Sequence, residues 1–161
     1  MEEETVELTP IAKAPKSDPY FARMWIYSHH IYSKWKRSDI QTYAKELDLT
    51  GFVMPGKPGI IAIEGYRNCV EDFWHRVRRM TWKRIMMKDR EDVELTDDKT
   101  IDNCRVFTGF EEKYFEPRQG KGRGGHGDRG LLLQFLQERG CGHVFALYFG
   151  VEGKVADVDS D

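Results

Sequence analysis

The order of periodicities along the chain predicts an α+β fold, and its clearest element is a hairpin near the middle. Residues 50–65 contain two short apolar runs joined by a turn rich in Pro and Gly, which is typical of a β-hairpin. A helical pattern lies on each side of the hairpin, an aromatic strand precedes the first helix, and a further strand follows the second. This order predicts a ferredoxin-like split β-α-β sandwich with helical additions at its C-terminus.

The first strand is predicted over residues 24–32, which are rich in aromatic and β-branched side chains. Large side chains fall on both faces, with Trp25 and Tyr27 on one and Ile26 and Tyr32 on the other. A strand that is apolar on both faces is usually central and covered on both sides. We therefore expect the strand order 4-1-3-2, with helices one and two packed together on one face of the sheet.

The helices are predicted from capping and stripe patterns. Ser38 and Gln41 form a capping box, so the first helix is expected to begin there. The second helix is expected over residues 66–80, where an apolar stripe includes Trp74 and predicts that this side chain lies in the core. Residues 82–88 are predicted to be the fourth strand, which completes the sandwich.

The C-terminal part of the chain has weaker patterns. Residues 89–103 are highly charged and predict an acidic loop, and residues 104–110 predict a short extended segment. Residues 118–127 are rich in Gly and carry no apolar side chain, which indicates a mobile loop. Asp128 is expected to cap a third helix. Residues 144–149 are continuously apolar and fit either a strand or a short helix.

Composition predicts one domain, because the chain has 161 residues and its 40% hydrophobic content can form a core. We expect residues 1–20 to be a flexible leader, residues 21–153 to be a single ferredoxin-like domain, and residues 154–161 to be an acidic tail. The acidic N-terminus does not fit a signal peptide, and no apolar run reaches the length of a membrane span. The expected location is intracellular, nuclear or cytoplasmic, with no membrane partner.

The charge is unevenly distributed along the chain. Residues 21–150 carry 22 basic and 18 acidic side chains, whereas both ends are acidic. A mildly basic body is compatible with an anionic partner, although many proteins with solvated surface charge show the same balance.

Several short motifs together resemble a known family. They are residues 26–32, 51–52, 54–59, 64–65, 82–84, 110–113, 140–142 and 149–153. They resemble the uncharacterised domain that lies C-terminal to the RWD domain in RWD-domain-containing protein two. More distantly, they resemble the C-terminal domain of the U4/U6 small nuclear ribonucleoprotein Prp3. The resemblance extends over roughly residues 24–153.

The resemblance implies a ferredoxin-like core with helical additions. The first family implies no established activity, whereas the Prp3 domain implies binding of small nuclear RNA. About twenty residues precede the match, which is too few for an RWD domain. The chain is therefore expected to be either a fragment of a longer protein or a stand-alone version of the domain.

Seven basic residues are the candidate contacts to nucleic acid. They are Lys34, Lys36, Arg37, Lys57, Lys83, Arg84 and Arg123. The first six lie at segment ends, and the last belongs to an Arg-Gly-Gly sequence of a type that meets phosphates and bases. RNA-binding domains of this fold present aromatic rings on the sheet, and the first strand fits that pattern, whereas residues 60–64 carry no ring. Ordinary solvated surface charge explains the same residues about equally well.

The sequence offers no argument for an enzyme, a metal or a cofactor. No Ser lies in a nucleophile elbow, and the three Cys residues form no C-x-x-C pair. His29 and His30 would point to opposite faces of a strand and could not share an ion. The glycines of residues 120–127 lack the Lys-Ser or Lys-Thr of a P-loop.

Two hypotheses remain for the function. The first is a non-catalytic module that binds RNA. The second is a protein-interaction or scaffold domain, in which Trp25, Trp35 or the C-terminal aromatic cluster docks a protein partner. No small-molecule substrate is expected in either case. A contiguous basic surface beside exposed rings favours RNA, and an exposed apolar patch of roughly several hundred Å² favours a protein.

Overall fold

The computed structural model describes residues 17–115 and 128–150. Within these residues, five strands and five helices follow one another along the chain. They are β1 (Tyr20–Ser28), α1 (Lys34–Glu46), β2 (Thr50–Met54), β3 (Gly59–Tyr66), α2 (Arg67–Arg78), β4 (Ile85–Glu94), α3 (Ile101–Cys104), β5 (Phe110–Glu112), α4 (Arg129–Glu138) and α5 (His143–Phe149). The expected leader up to residue 16, the glycine-rich loop and the acidic tail lie outside the described residues.

The strands form one sheet in the order β4-β1-β3-β2-β5. The first four strands pair antiparallel in the predicted order 4-1-3-2, and the short β5 is added parallel to β2. The predicted hairpin is present, because β2 and β3 pair from Thr50 opposite Glu64 to Met54 opposite Ile60. The prediction of an α+β, ferredoxin-like sandwich with C-terminal helical additions is therefore confirmed.

A hydrophobic core lies on each face of the sheet. On one face, Met24 and Ile26 of β1 pack with the buried residues of α1 and α2, such as Phe73. On the other face, Trp25 of β1 packs with residues of α4 and α5, such as Leu136. The central position predicted for the first strand is therefore confirmed, and the physical reason is its large side chains on both faces.

The first strand ends four residues earlier than predicted. After Ser28 the chain turns, and the Ser28 hydroxyl donates a hydrogen bond to the His30 carbonyl at 2.9 Å. His29 and His30 therefore lie in a turn, with their ring centres 5.2 Å apart. The expectation that these two side chains point to opposite faces of a strand was wrong, because a turn does not alternate its side chains.

Helix α1 begins one turn earlier than the predicted capping box. The Ser33 hydroxyl accepts hydrogen bonds from the amides of Trp35 and Lys36, at 3.2 and 3.3 Å, and so caps the helix. Gln41 instead donates to the Arg37 carbonyl and the Glu112 carboxylate. The first turn of α1 contains no buried residue, since Trp35 is exposed and its neighbours are basic, so no apolar stripe marks where the helix begins.

Helix α2 turns Phe73 and Val77 fully into the core, but it leaves Trp74 half-buried at the rim. The guanidinium of Arg78 lies 5.4 Å from the centre of the Trp74 ring. The prediction that Trp74 lies in the core was wrong. Neighbouring residues on a helix are about 100° apart, so Phe73 faces the core and Trp74 lies at its rim.

Because Trp74 keeps contact with solvent, we expect Trp74→Ala to lower the free energy of unfolding by only about 1–2 kcal/mol. Urea unfolding would measure this loss, with Phe73→Ala as the comparison for a fully buried ring on the same helix. Equal losses for the two variants would contradict the rim position of Trp74.

The C-terminal elements correct two further expectations and confirm one. Strand β4 continues to Glu94, so the first part of the predicted acidic loop is an edge strand whose charges discourage pairing with other chains. The extended segment predicted over residues 104–110 holds only the end of α3 and the start of β5. Asp128 caps α4 as predicted, and residues 144–149 form a helix, α5.

Glu64 of β3 is fully buried and joins the sheet to the segment that follows α3. Its carboxylate accepts hydrogen bonds from Arg23 at 3.0 Å, from the Thr50 hydroxyl at 2.7 Å and from the amides of Val106 and Phe107. These hydrogen bonds fix the segment between α3 and β5 against β3. Phe107 of this segment packs in the core beneath α4 and α5.

Candidate nucleic-acid interface

Six of the seven predicted basic residues lie at one end of the sheet, where β1 and β2 end and β3 and β4 begin. Lys34, Lys36 and Arg37 belong to the start of α1, Lys57 lies in the hairpin turn, and Lys83 and Arg84 directly precede β4. Arg123 lies outside the described residues.

Backbone contacts between the β1–α1 turn and the hairpin turn position this end of the sheet. The amides of Ile31 and Gly56 each donate to the carbonyl of the other residue at 2.9 Å. The fully buried Ile31 side chain fills the space above Gly59, where a Cβ would lie only 2.2 Å from it. Gly at position 59 therefore lets the two turns pack together and brings Lys57 close to the histidines.

Three of the basic residues converge on His29. The His29 amide donates to the Arg84 carbonyl at 3.1 Å, which fixes the start of β4 beside the turn. The pKa of His29 is lowered by partial burial of its ring and then by the positive charges of Lys57, Lys83, His30 and Arg84. The hydrogen bond from His29 to Arg84 and the pairing of Ile31 with Gly56 thus bring Lys57, Lys83 and Arg84, which are far apart in sequence, to one end of the sheet.

Aromatic rings lie beside these charges. The Lys36 ammonium is 4.5 Å from the centre of the Trp82 ring, and the Trp82 indole is fixed by donating to the Val77 carbonyl at 2.8 Å. Tyr32 stacks on His30, with ring centres 5.0 Å apart. Trp35 is 76% exposed and Tyr32 is 58% exposed, so both rings are open to a partner.

We call this region the basic end surface. It consists of His29, His30, Tyr32, Lys34, Trp35, Lys36, Lys57, Trp82, Lys83 and Arg84. Within the described residues, none of its five Lys and Arg side chains forms an ion pair, whereas other arginines, such as Arg76 and Arg90, pair with carboxylates. The surface thus combines uncompensated positive charge with exposed rings. The sequence-based set of candidate contacts did not include the two histidines, Tyr32 or Trp82. Their closeness in sequence to the basic residues could have indicated that they belong to the same surface.

Arg37 differs from its neighbours because its charge is already compensated. Its guanidinium donates to Glu112 of β5 at 2.9 Å and to the Tyr32 carbonyl at 3.1 Å. The hydrogen bond to Glu112 raises the pKa of Arg37 and lowers the pKa of Glu112. Arg37 therefore links α1 to the edge of the sheet.

The face of the sheet opposite α1 and α2 is closed to ligands. Trp25 is only 1% exposed and makes edge-on contacts with Phe52 and Phe107 beneath α4 and α5. The expectation that Trp25 docks a protein, or that this face of the first strand presents its rings to a nucleic acid, was wrong. The C-terminal helices occupy the face that such a ligand would need.

The described residues show no cluster of three or more His, Cys, Asp or Glu side chains that could hold a metal ion. Among these residues, no helix has the length and apolar character needed to cross a membrane.

The fold and the basic end surface define the chain as a ferredoxin-like domain with a charged, aromatic surface at one end of its sheet. Residues 24–148 match the family described as small nuclear ribonucleoprotein Prp3, C-terminal domain. The chain therefore belongs to this family, in agreement with the more distant of the two resemblances seen in its motifs. The resemblance to RWD-domain-containing protein two stays a prediction.

A curated relative also matches most of the chain. It is the phomoidride biosynthesis cluster protein F of Fungal sp. (strain ATCC 74256), which is 31% identical over 129 residues. The match covers 80% of this chain but 43% of the relative, so the chain spans less than half of the relative's length.

Solved structures with a similar fold include two acylphosphatases. The enzyme from Bacillus subtilis is 16% identical, with a TM-score of 0.41 over 58% of this chain and 99% of the enzyme. The enzyme from Coxiella burnetii is 13% identical, with a TM-score of 0.39 over 59% of this chain and 94% of the enzyme. The fold assignment itself depends on the strand order described above.

Proposed function

We propose that this domain is a non-catalytic module that binds RNA through its basic end surface. The observation that carries the proposal is the convergence of Lys57, Lys83 and Arg84 on His29, with none of the three cations engaged by a carboxylate of the described residues. Unpaired cations held at one place are suited to phosphate groups, whose release of counterions drives binding.

The rings of the same surface favour RNA that includes unpaired nucleotides. The faces of Tyr32 and Trp35 are exposed, and the base of an unpaired nucleotide can stack on such a ring. Membership in a family defined on a small nuclear ribonucleoprotein supports the same ligand and favours a nuclear location. Arg123 remains a proposed contact, whereas Arg37 is not needed because Glu112 already compensates its charge.

A protein partner is the alternative ligand. Trp35 and Tyr32 are the most exposed large aromatic residues in the described part of the chain, and such rings also anchor protein interfaces. The surrounding lysines weaken this alternative, because charged residues are depleted at the centres of protein interfaces.

Titration of short single-stranded and duplex RNAs at low salt tests the proposal directly. Fluorescence anisotropy of labelled RNA is expected to show binding that weakens as salt increases, with the single strand preferred. A correctly folded domain that bound neither RNA would contradict the proposal and leave a protein partner as the better hypothesis.

Binding is also expected to depend on pH through His29. In the free domain, partial burial and the nearby cations lower the pKa of His29, and a bound phosphate would raise it again. The complex should therefore take up a proton, and the affinity should increase about two- to tenfold as the pH falls from about 8 to about 6.

Anisotropy titrations of the wild-type protein and of His29→Gln across this pH range would test this expectation. His30 is the other histidine of the basic end surface, so His30→Gln provides the matched control. An unchanged pH dependence in His29→Gln would contradict the role of His29.

A further inference from the structure

An open pocket with a volume of about 110 Å³ lies between the hairpin turn and the C-terminal helices. Its lining combines apolar side chains with two cations and the Asp128 carboxylate. The apolar walls include Met54, Phe115, Leu132 and Phe149, and the cations are Lys57 and Arg129. A concave site that combines apolar side chains with a few polar groups is the usual form of a ligand pocket.

In the wall of the pocket, the Arg129 guanidinium lies against the Phe149 ring. The centre of the Arg129 guanidinium lies 4.3 Å from the centre of the Phe149 ring. Within the described residues, Arg129 forms no ion pair. The neighbouring Asp128 carboxylate is already engaged, because it accepts the amides of Gly130 and Leu131 at the start of α4. The guanidinium therefore keeps its charge available for a ligand.

Lys57 connects the pocket to the basic end surface. Its side chain lines the pocket, and its charge is also one of those that lower the pKa of His29. An RNA backbone whose phosphates bind Lys83, Arg84 and Lys57 in turn would therefore reach the mouth of the pocket. The apolar side chains of the pocket suit a planar base, whereas a phosphate can bind Lys57 at the mouth and stay in contact with solvent.

We propose that this pocket receives one unpaired nucleobase of the RNA strand, an inference that rests on the proposed function. The planar base would stack at the Arg129–Phe149 pair, where both cation–π and stacking interactions are available. The phosphates on either side of this nucleotide would stay outside, with one of them on Lys57. The ligand is thus single-stranded at this position, because a paired base could not enter.

The test compares a short single-stranded RNA with the same backbone from which every base has been removed. Each is titrated against the wild-type protein, Arg129→Gln and Arg139→Gln. Arg139 is the matched control, since it belongs to the same part of the chain and covers the Phe135 ring at 3.7 Å but does not line the pocket. Both substitutions remove a guanidinium that lies against an aromatic ring; Arg139 also lies 3.8 Å from Glu138, whereas Arg129 forms no ion pair within the described residues.

We expect Arg129→Gln to weaken binding of the intact RNA by about 5- to 100-fold, the range for one stacked base. The same change should affect the abasic backbone much less, and Arg139→Gln should affect neither ligand by more than about twofold. Binding of RNA containing 2-aminopurine to Phe149→Leu supplies a second measurement, because loss of stacking would reduce the quenching of that base.

The outcomes separate the two proposals. Absence of any RNA binding would overturn the proposed function and this inference together. Salt-dependent binding in which Arg129→Gln and Arg139→Gln weaken intact and abasic RNA equally would overturn the base pocket alone and leave phosphate binding at the basic end surface in place.

Discussion

Replacing both Lys83 and Arg84 by Ala is expected to weaken RNA binding at low salt by at least about tenfold, since contacts to charged groups contribute about 1.5–3 kcal/mol each. The salt dependence should also become shallower, because each phosphate contact contributes about 0.7–0.9 to the slope of log K against log salt. The two substitutions together should reduce this slope by up to about two. Anisotropy titrations over a series of salt concentrations measure both quantities.

The control for this experiment is a variant with the same loss of charge elsewhere. Lys45 lies in the last turn of α1 and Lys99 follows β4, so both are exposed near the opposite end of the sheet. Lys45→Ala/Lys99→Ala should retain nearly all of the affinity. Neither Lys83 nor Arg84 forms an ion pair within the described residues, so the test variant should fold normally. Equal losses in the two double variants would indicate nonspecific charge attraction and contradict the proposed surface.

Replacing Glu64 by Ala is expected to lower the free energy of unfolding by about 3–5 kcal/mol, the usual cost of removing one partner of a buried ion pair. Arg23 is only 6% exposed, and it would keep the half-exposed Glu91 at 3.1 Å and the Cys104 carbonyl but lose its buried carboxylate partner. The amides of Val106 and Phe107 would lose their acceptor as well. Each buried amide without a partner adds a further penalty.

Urea unfolding of Glu64→Ala and Glu91→Ala gives the matched comparison, because both carboxylates contact the Arg23 guanidinium. Glu91 is half-exposed, so its loss should cost less than about 1 kcal/mol. Glu64→Gln should be intermediate, since its amide oxygen can still accept hydrogen bonds. A loss below about 1 kcal/mol for Glu64→Ala would show that the network is not essential for stability.

Local signals in the sequence predicted the elements that depend on neighbouring residues. The hairpin over residues 50–65 was predictable because two apolar runs and a Pro-Gly turn favour antiparallel pairing wherever they occur. Asp128 was correctly predicted to cap α4 because a side-chain cap involves only the next few amides. The central place of β1 followed from its large side chains on both faces.

Some local predictions failed where two patterns competed. Ser33 and Ser38 can both cap a helix, and the hydrogen bonds from the Trp35 and Lys36 amides to the Ser33 hydroxyl show that the earlier serine is used. Charges in residues 89–94 suggested a loop, although an edge strand with one solvated side accommodates the same charges. For the edge strand, the deciding contact is the pairing of β4 with β1, which lies far away in the sequence.

The sequence alone determined the sandwich, its hairpin and the basic character of the body of the chain. Only the tertiary structure determined that α4 and α5 close one face of the sheet, and that Lys57, Lys83 and Arg84 meet at His29. The reason is physical: periodicity records which side of an element is apolar, but not which distant element covers it. The candidate site lies at the end of the sheet, because α4 and α5 cover the sheet face opposite α1 and α2.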